Sequence, residues 1–143
     1  MLEELENKMK IRELVDRFAI LEINVHDQMD LFTDDCVVNI WFGDKIGMTM
    51  KGTEEWEKAF SAGMANVKSS HHANEQQLVE IDGDEAKGTL YCTATLLSEE
   101  AEKEMLAENY IIYSDVYQKV NGKWLIKERN SHFAITTKRE LSK

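Results

Sequence analysis

The segment Asn109–Thr137 constrains this chain most. It consists of two long alternating runs joined by Asn121-Gly122, a dipeptide whose readiness for positive φ makes it the strongest short-range signal of a tight β-hairpin. A second turn, Asp82-Gly83-Asp84, joins Gln77–Ile81 to Ala86–Ser98. Ahead of both hairpins the apolar period changes from two to between three and four. Leu2, Leu5, Met9, Ile11, Leu14, Val15 and Phe18 predict an amphipathic helix from about Leu2 to Leu21. A short helix is expected over Asp27–Leu31, and strands over Cys36–Phe42 and Ile46–Met50. A third helix is expected over Glu54–Ala65, with Thr53 as its N-cap. Val67–Ser70 and Glu99–Glu104 read as loops. Helices first and long antiparallel strands afterwards describe an α+β domain. The expected form is a cone-shaped, curved, mostly antiparallel sheet wrapped around about three N-terminal helices, with a cavity between the layers.

With 143 residues the chain is expected to form one domain, 1–143, large enough to bury a core. No apolar run approaches the ~20 residues needed to span a bilayer, and Met1–Arg12 has no signal-peptide pattern, so cytoplasmic residence is the expectation. Acids outnumber bases 27 to 17, for a net charge of −10. No basic stripe with interleaved aromatics offsets this, which argues against nucleic acid and anionic membranes as partners. Cys36 and Cys92 have no pairing or metal-ligand pattern and read as buried free thiols. His26, His71, His72 and His132 lack the spacing of a metal site, and Gly43, Gly47 and Gly52 are turn glycines rather than a phosphate cradle. No metal and no cofactor are expected.

The strands around Leu90 and Tyr110 carry apolar residues on both faces, where a sheet with one solvated face should alternate sharply. One face is expected to meet the helices and the cavity. The other is expected to pair with a second copy of the chain, with Tyr91, Tyr113 or Tyr117, together with Phe133, as contributors.

The order of motifs over Met9–Phe133 resembles the SnoaL-like branch of the nuclear transport factor 2-like superfamily. The resemblance rests on Ile11-Arg12-Glu13-Leu14-Val15, Leu31-Phe32-Thr33-Asp34-Asp35, Gly52-Thr53, and His72 followed by Val79–Ala86. It rests further on Tyr117, Asn121-Gly122-Lys123-Trp124-Leu125-Ile126, and Arg129. Catalytic members of that superfamily work with a His–Asp pair inside the cup. The resemblance implies that His72 is the imidazole. A pocket for a small hydrophobic ligand is expected to be lined by Phe18, Ile23, Trp41, Trp56, Phe60, Tyr110 and Arg129. Counted from Ile11, the position of the family's acid is Ile23 and that of a frequent tyrosine is Phe18, so the inherited dyad is expected to be absent. Glu22 lies on the stripe of Ile11, Val15 and Phe18 and is the acid expected to meet His72 if any does; Asp27 and Asp115 read as solvated. Three readings remain open at this level: a binding protein with an apolar cavity, a cofactor-independent lyase or isomerase using His72, and a non-catalytic dimeric structural protein.

Overall fold

The computed structural model describes residues 1–141. Its elements are α1 (Leu2–Ile20), α2 (Val25–Gln28), a 3₁₀ turn (Met29–Leu31), β1 (Phe32–Phe42), β2 (Lys45–Lys51) and α3 (Thr53–Gly63). The four long strands follow: β3 (Val67–Asp82), β4 (Glu85–Glu100), β5 (Lys103–Val120) and β6 (Lys123–Glu140). They form one six-stranded sheet in the order β2-β1-β6-β5-β4-β3. Every pairing is antiparallel except β1 with β6, which is parallel. The three helices and the mostly antiparallel sheet are those expected, with Asn121 and Gly122 at a hairpin tip, both at positive φ. No helix among the described residues is long and apolar enough to cross a membrane.

The strands run further than the sequence pattern suggests. β3 begins at Val67 and β5 at Lys103, where loops are expected, and β1 begins at Phe32, ahead of the expected start at Cys36. Ala101 and Glu102 form a two-residue connection with φ of 51° and 64°, a conformation usually marked by Asn or Gly. The ends of β4, β5 and β6 are rich in charged residues, so period-two patterning fades there. Thr53 is not a cap: the capping residue is Gly52, at φ 85°, and the Glu55 carboxylate accepts from the Lys51 N–H at 2.6 Å. Gly52 also donates its N–H to the Cys36 carbonyl, which fixes the start of α3 against β1.

The core lies between α1, α3 and the concave face. α1 contributes Ile11, Leu14, Val15 and Phe18; α3 contributes Trp56; the sheet contributes Leu90, Cys92, Ile111, Tyr113, Tyr117 and Ile126. Trp56 stacks on Phe60 with centroids 3.7 Å apart and packs against Phe18 and Phe32. Tyr113 and Tyr117 therefore belong to the core and not to the outer face, because they fall in phase with Ile111 on the concave side. Cys36 and Cys92 are buried free thiols. The N-terminal end of α1 is tied to the last hairpin by Asn7, whose side-chain oxygen accepts from Trp124 Nε1 at 3.1 Å.

Candidate active site

The stripe Ile11, Val15, Phe18 and Glu22 continues through the end of α1 without changing direction. The helix proper stops at Ile20, but Leu21 still donates to the Arg17 carbonyl, and Asn24 donates back to Leu21. This turn keeps Glu22 on the core side, 6% exposed, and sends Ile23 outward at 49%. A buried carboxyl needs partners. Gln28, fully buried on α2, donates its amide to Glu22 Oε2 at 3.0 Å and to the Phe18 carbonyl at 2.9 Å. One side chain thus fixes the carboxyl and closes the exposed end of the helix.

His72 approaches from β3, opposite Ala94. Its Nε2 lies 3.6 Å from Glu22 Oε1, with both side chains under a tenth exposed. Its Nδ1 lies 2.9 Å from Ser70 Oγ, two residues back on the same face. With Nδ1–H donating to Ser70, Nε2 carries its lone pair toward Glu22 and the cavity. Burial acts on both partners against charge. It pushes the Glu22 carboxyl up from 4.5 to about 7, opposed by the Gln28 hydrogen bond and the Arg129 charge. It pulls His72 down from 6.5 to about 4, aided by Arg129 and His71. Near neutrality the pair is therefore a neutral imidazole beside a carboxyl that still holds much of its proton.

The cavity next to this pair has a volume of about 90 Å³. Phe18, Trp56, Phe60 and Met64 line the helical side; Ile111, Tyr113 and Phe133 line the sheet side. The polar side chains on its wall, besides Glu22 and His72, are Asn109 and Ser131. Trp56 Nε1 and Gln28 Oε1 are buried without a protein hydrogen-bond partner.

Behind the cavity sits a buried ion pair. Arg129 Nε and Nη2 donate to the two oxygens of Asp115, each at 2.9 Å, and Tyr117 donates its hydroxyl to the same carboxylate at 2.6 Å. The guanidinium lies 3.7 Å from the Tyr113 ring centroid and 4.5 Å from that of Phe18. Arg129 is thus one layer behind the wall, and its charge acts on Glu22 and His72. Asp115 is not solvated: the pairing of β5 with β6 sets it directly against Arg129.

Of the residues named from sequence, Phe18, Trp56, Phe60, His72 and Glu22 meet at the cavity. Three do not. Ile23 faces outward because the turn after α1 rotates it away. Trp41 points to the convex face, where it stacks on His132 at 5.3 Å. Tyr110 is 39% exposed on that same face, because it is out of phase with Ile111. Asn109, Ser131 and Gln28 escaped the sequence reading. Ser131 shares the phase of Arg129 and Phe133, a signal that was present; Gln28 had none.

The chain belongs to the SnoaL-like domain family, whose model matches residues 3–130. No curated protein matches it in sequence. Among solved structures it is similar to a proposed scytalone dehydratase from Novosphingobium aromaticivorans, with TM-score 0.83 and 18% identity over 99% of this chain and 94% of that one. It is similar to a hexachlorocyclohexane dehydrochlorinase from Novosphingobium barchaimii, with TM-score 0.78 and 17% identity over 99% and 94%. A Mycobacterium tuberculosis protein of unknown function aligns with TM-score 0.75 and 22% identity over 99% and 75%. At such identities these structures establish the shared nuclear transport factor 2-like fold and nothing finer.

Proposed function

We propose that this chain is a cofactor-independent lyase or isomerase for a small hydrophobic molecule, moving a proton at a carbon beside a carbonyl or a leaving group. The observation that carries this reading is the 3.6 Å approach of His72 Nε2 to Glu22 Oε1 on the wall of a mainly apolar cavity. A carboxyl without chemistry to do is costly to bury, and a leucine would fill the site better.

In an elimination, His72 Nε2 takes the proton from carbon. The C–H electron pair becomes the new double bond, and the leaving group departs from the neighbouring carbon with the proton of Glu22. Hydroxide leaves as water, chloride as hydrogen chloride. The site is then an imidazolium beside a carboxylate, and return of one proton across the short gap between them restores the starting state. In an isomerisation the proton taken from one carbon is delivered to another. Asn109 and Ser131 are placed to hold a ligand oxygen. Two of the similar structures, the proposed scytalone dehydratase and the hexachlorocyclohexane dehydrochlorinase, are named for eliminations, which supports the reaction class for this chain.

The test is solvent deuterium exchange and elimination across a panel of small cyclic ketones and β-hydroxy ketones, followed by proton NMR. His72→Ala is expected to lower any turnover by ~100- to 10,000-fold, and Glu22→Gln to reduce it clearly. The rate should fall below about pH 4, where His72 is protonated, and above about pH 7, where Glu22 has lost its proton. The competing reading is a binding protein without chemistry, favoured by the small, mainly apolar cavity. Saturation-transfer signals from panel members with no exchange or elimination would select it. Turnover that survives both substitutions would place the chemistry elsewhere.

A further inference from the structure

Gln28 reaches the site from α2 with both hydrogens of its amide engaged. Nε2 donates to the Phe18 main-chain carbonyl at 2.9 Å and to Glu22 Oε2 at 3.0 Å. An amide nitrogen carries two N–H donors and no acceptor, and a main-chain carbonyl can only accept. The Phe18 carbonyl therefore fixes which end of the amide faces it. The reverse orientation would set Gln28 Oε1 against another carbonyl oxygen. With the amide locked this way, Glu22 Oε2 must accept, whether the carboxyl is charged or neutral.

The neutral carboxyl is the form that burial favours below the Glu22 pKa of about 7. It has one carbonyl oxygen and one hydroxyl oxygen, and the carbonyl oxygen is the better acceptor. The bond from Gln28 therefore makes Oε2 the carbonyl oxygen and leaves the proton on Oε1, 3.6 Å from His72 Nε2. A proton on Oε1 favours a lone pair on Nε2. The imidazole hydrogen then sits on Nδ1, where Ser70 Oγ accepts it at 2.9 Å. The direction of the whole network thus follows from one main-chain carbonyl. At 3.6 Å, Oε1 and Nε2 are too far apart for a normal hydrogen bond to each other, so the proton and the lone pair stay free for a ligand.

We propose that Gln28 is a positioning residue for this site: its second N–H confines the Glu22 proton to Oε1, on the His72 side, and so selects the oxygen that protonates a departing group. The catalytic use of that proton rests on the lyase or isomerase reading above; its placement does not. Gln28 is not part of the cavity wall and acts through Glu22. The titratable groups acting on or facing Glu22 are His72 of β3, Cys92 of β4, Tyr113 of β5 and Arg129 of β6. His72 is pulled down to about 4, Cys92 is pushed up to about 11, and Tyr113 is held well above its ordinary value. Arg129 stays protonated. None of these four changes charge between about pH 5.5 and 8.5, so in that range the carboxyl titrates against a constant background.

Infrared difference spectroscopy at about pH 6 tests the placement without any substrate. Wild type minus Glu22→Gln isolates the C=O stretch of the protonated Glu22 carboxyl, and a hydrogen bond donated to the carbonyl oxygen lowers that stretch. Gln28→Met keeps the approximate length of the side chain and removes both donors. In that background the band should move to higher frequency, and the Glu22 midpoint should rise from about 7 by about one unit or more. Where turnover is found, the alkaline limb of its pH profile should rise by the same amount. An unmoved band means that Oε2 is the hydroxyl oxygen or that Gln28 does not donate to it, and overturns the proposal. If Gln28→Met fails to fold, heteronuclear NMR of the Gln28 side-chain amide in the wild type decides. The proton bonded to Glu22 should shift with a midpoint near 7, and the one bonded to the Phe18 carbonyl should move far less. Two amide protons that both ignore the Glu22 titration overturn the proposal. A moved band without turnover on the ketone panel supports the placement and counts against the lyase or isomerase reading alone.

Discussion

Replacing Glu22 by Gln should stabilise this protein, and only at the alkaline end of its range. The carboxyl titrates at about 7 in the folded chain against 4.5 for an ordinary glutamate, with burial as the main cause. Below pH 4.5 it is protonated in both states and carries no penalty. As pH rises from 4.5 to 7 the unfolded state loses the proton first, so the folded state weakens progressively. Above 7 the full difference is in place. At ~1.4 kcal/mol per pH unit this comes to about 3 kcal/mol. Gln keeps the shape, and its amide oxygen can still accept from Gln28, so the substitution removes the titration and little else. Urea unfolding followed by tryptophan fluorescence, at matched protein concentrations from pH 4.5 to 7.5, would measure it. The gain of Glu22→Gln over wild type should be near zero at pH 4.5 and approach about 3 kcal/mol at pH 7.5. A gain that stays flat across this range would refute the buried, proton-holding carboxyl. A loss at pH 6 would show that Glu22 and His72 rest as an ion pair, the opposite of the neutral pair described above.

Other perturbations have equally definite outcomes. Asp115→Asn should cost about 3–5 kcal/mol, read by chemical denaturation, because it leaves the Arg129 guanidinium buried without a counter-charge. Gly88→Ala should lower thermal stability by the equivalent of about 1–3 kcal/mol: its Cβ would lie 3.1 Å from the Leu78 carbonyl oxygen and from a Tyr117 ring carbon. Ile23→Asp should change stability by no more than about 0.5 kcal/mol, because its side chain is half exposed. It should also create no turnover absent from the wild type, since the acid beside His72 is already supplied by Glu22.

The last of these marks where sequence reasoning stopped. Helical phase read Glu22 correctly, since it shares a stripe with Ile11, Val15 and Phe18. Counting along the chain from Ile11 put the acid's position at Ile23, because counting assumes a turn of fixed geometry. The turn after α1 is held by Gln28, whose role depends on two contacts no periodicity encodes. The hairpins at Asp82-Gly83 and Asn121-Gly122 were legible because their turn chemistry is local. The one at Ala101-Glu102 was not, since neither residue advertises positive φ. Asp115 looked like a solvated strand acid because its partner, Arg129, lies across a hairpin whose register includes a bulge. Trp41 and Tyr110 were assigned to the pocket by residue type, whereas the face each occupies follows from strand phase.

The parallel pairing of β1 with β6 has a consequence for the order in which this molecule can be made. Phe32 lies opposite Ile126, and Phe42 opposite Phe133, so the first strand has no inner neighbour until β6 has left the ribosome. Until then the sheet exists in two pieces, β1–β2 and β3–β4–β5, each with an open edge. Asp115 waits for Arg129, and Asn7 for Trp124. Synthesis is vectorial at ~5–20 residues per second, and contacts of such long sequence separation form slowly. Folding of this domain therefore waits for its last strand, β6. A chain stalled or truncated within β6 lacks the closing seam of the sheet and exposes two strand edges to aggregation.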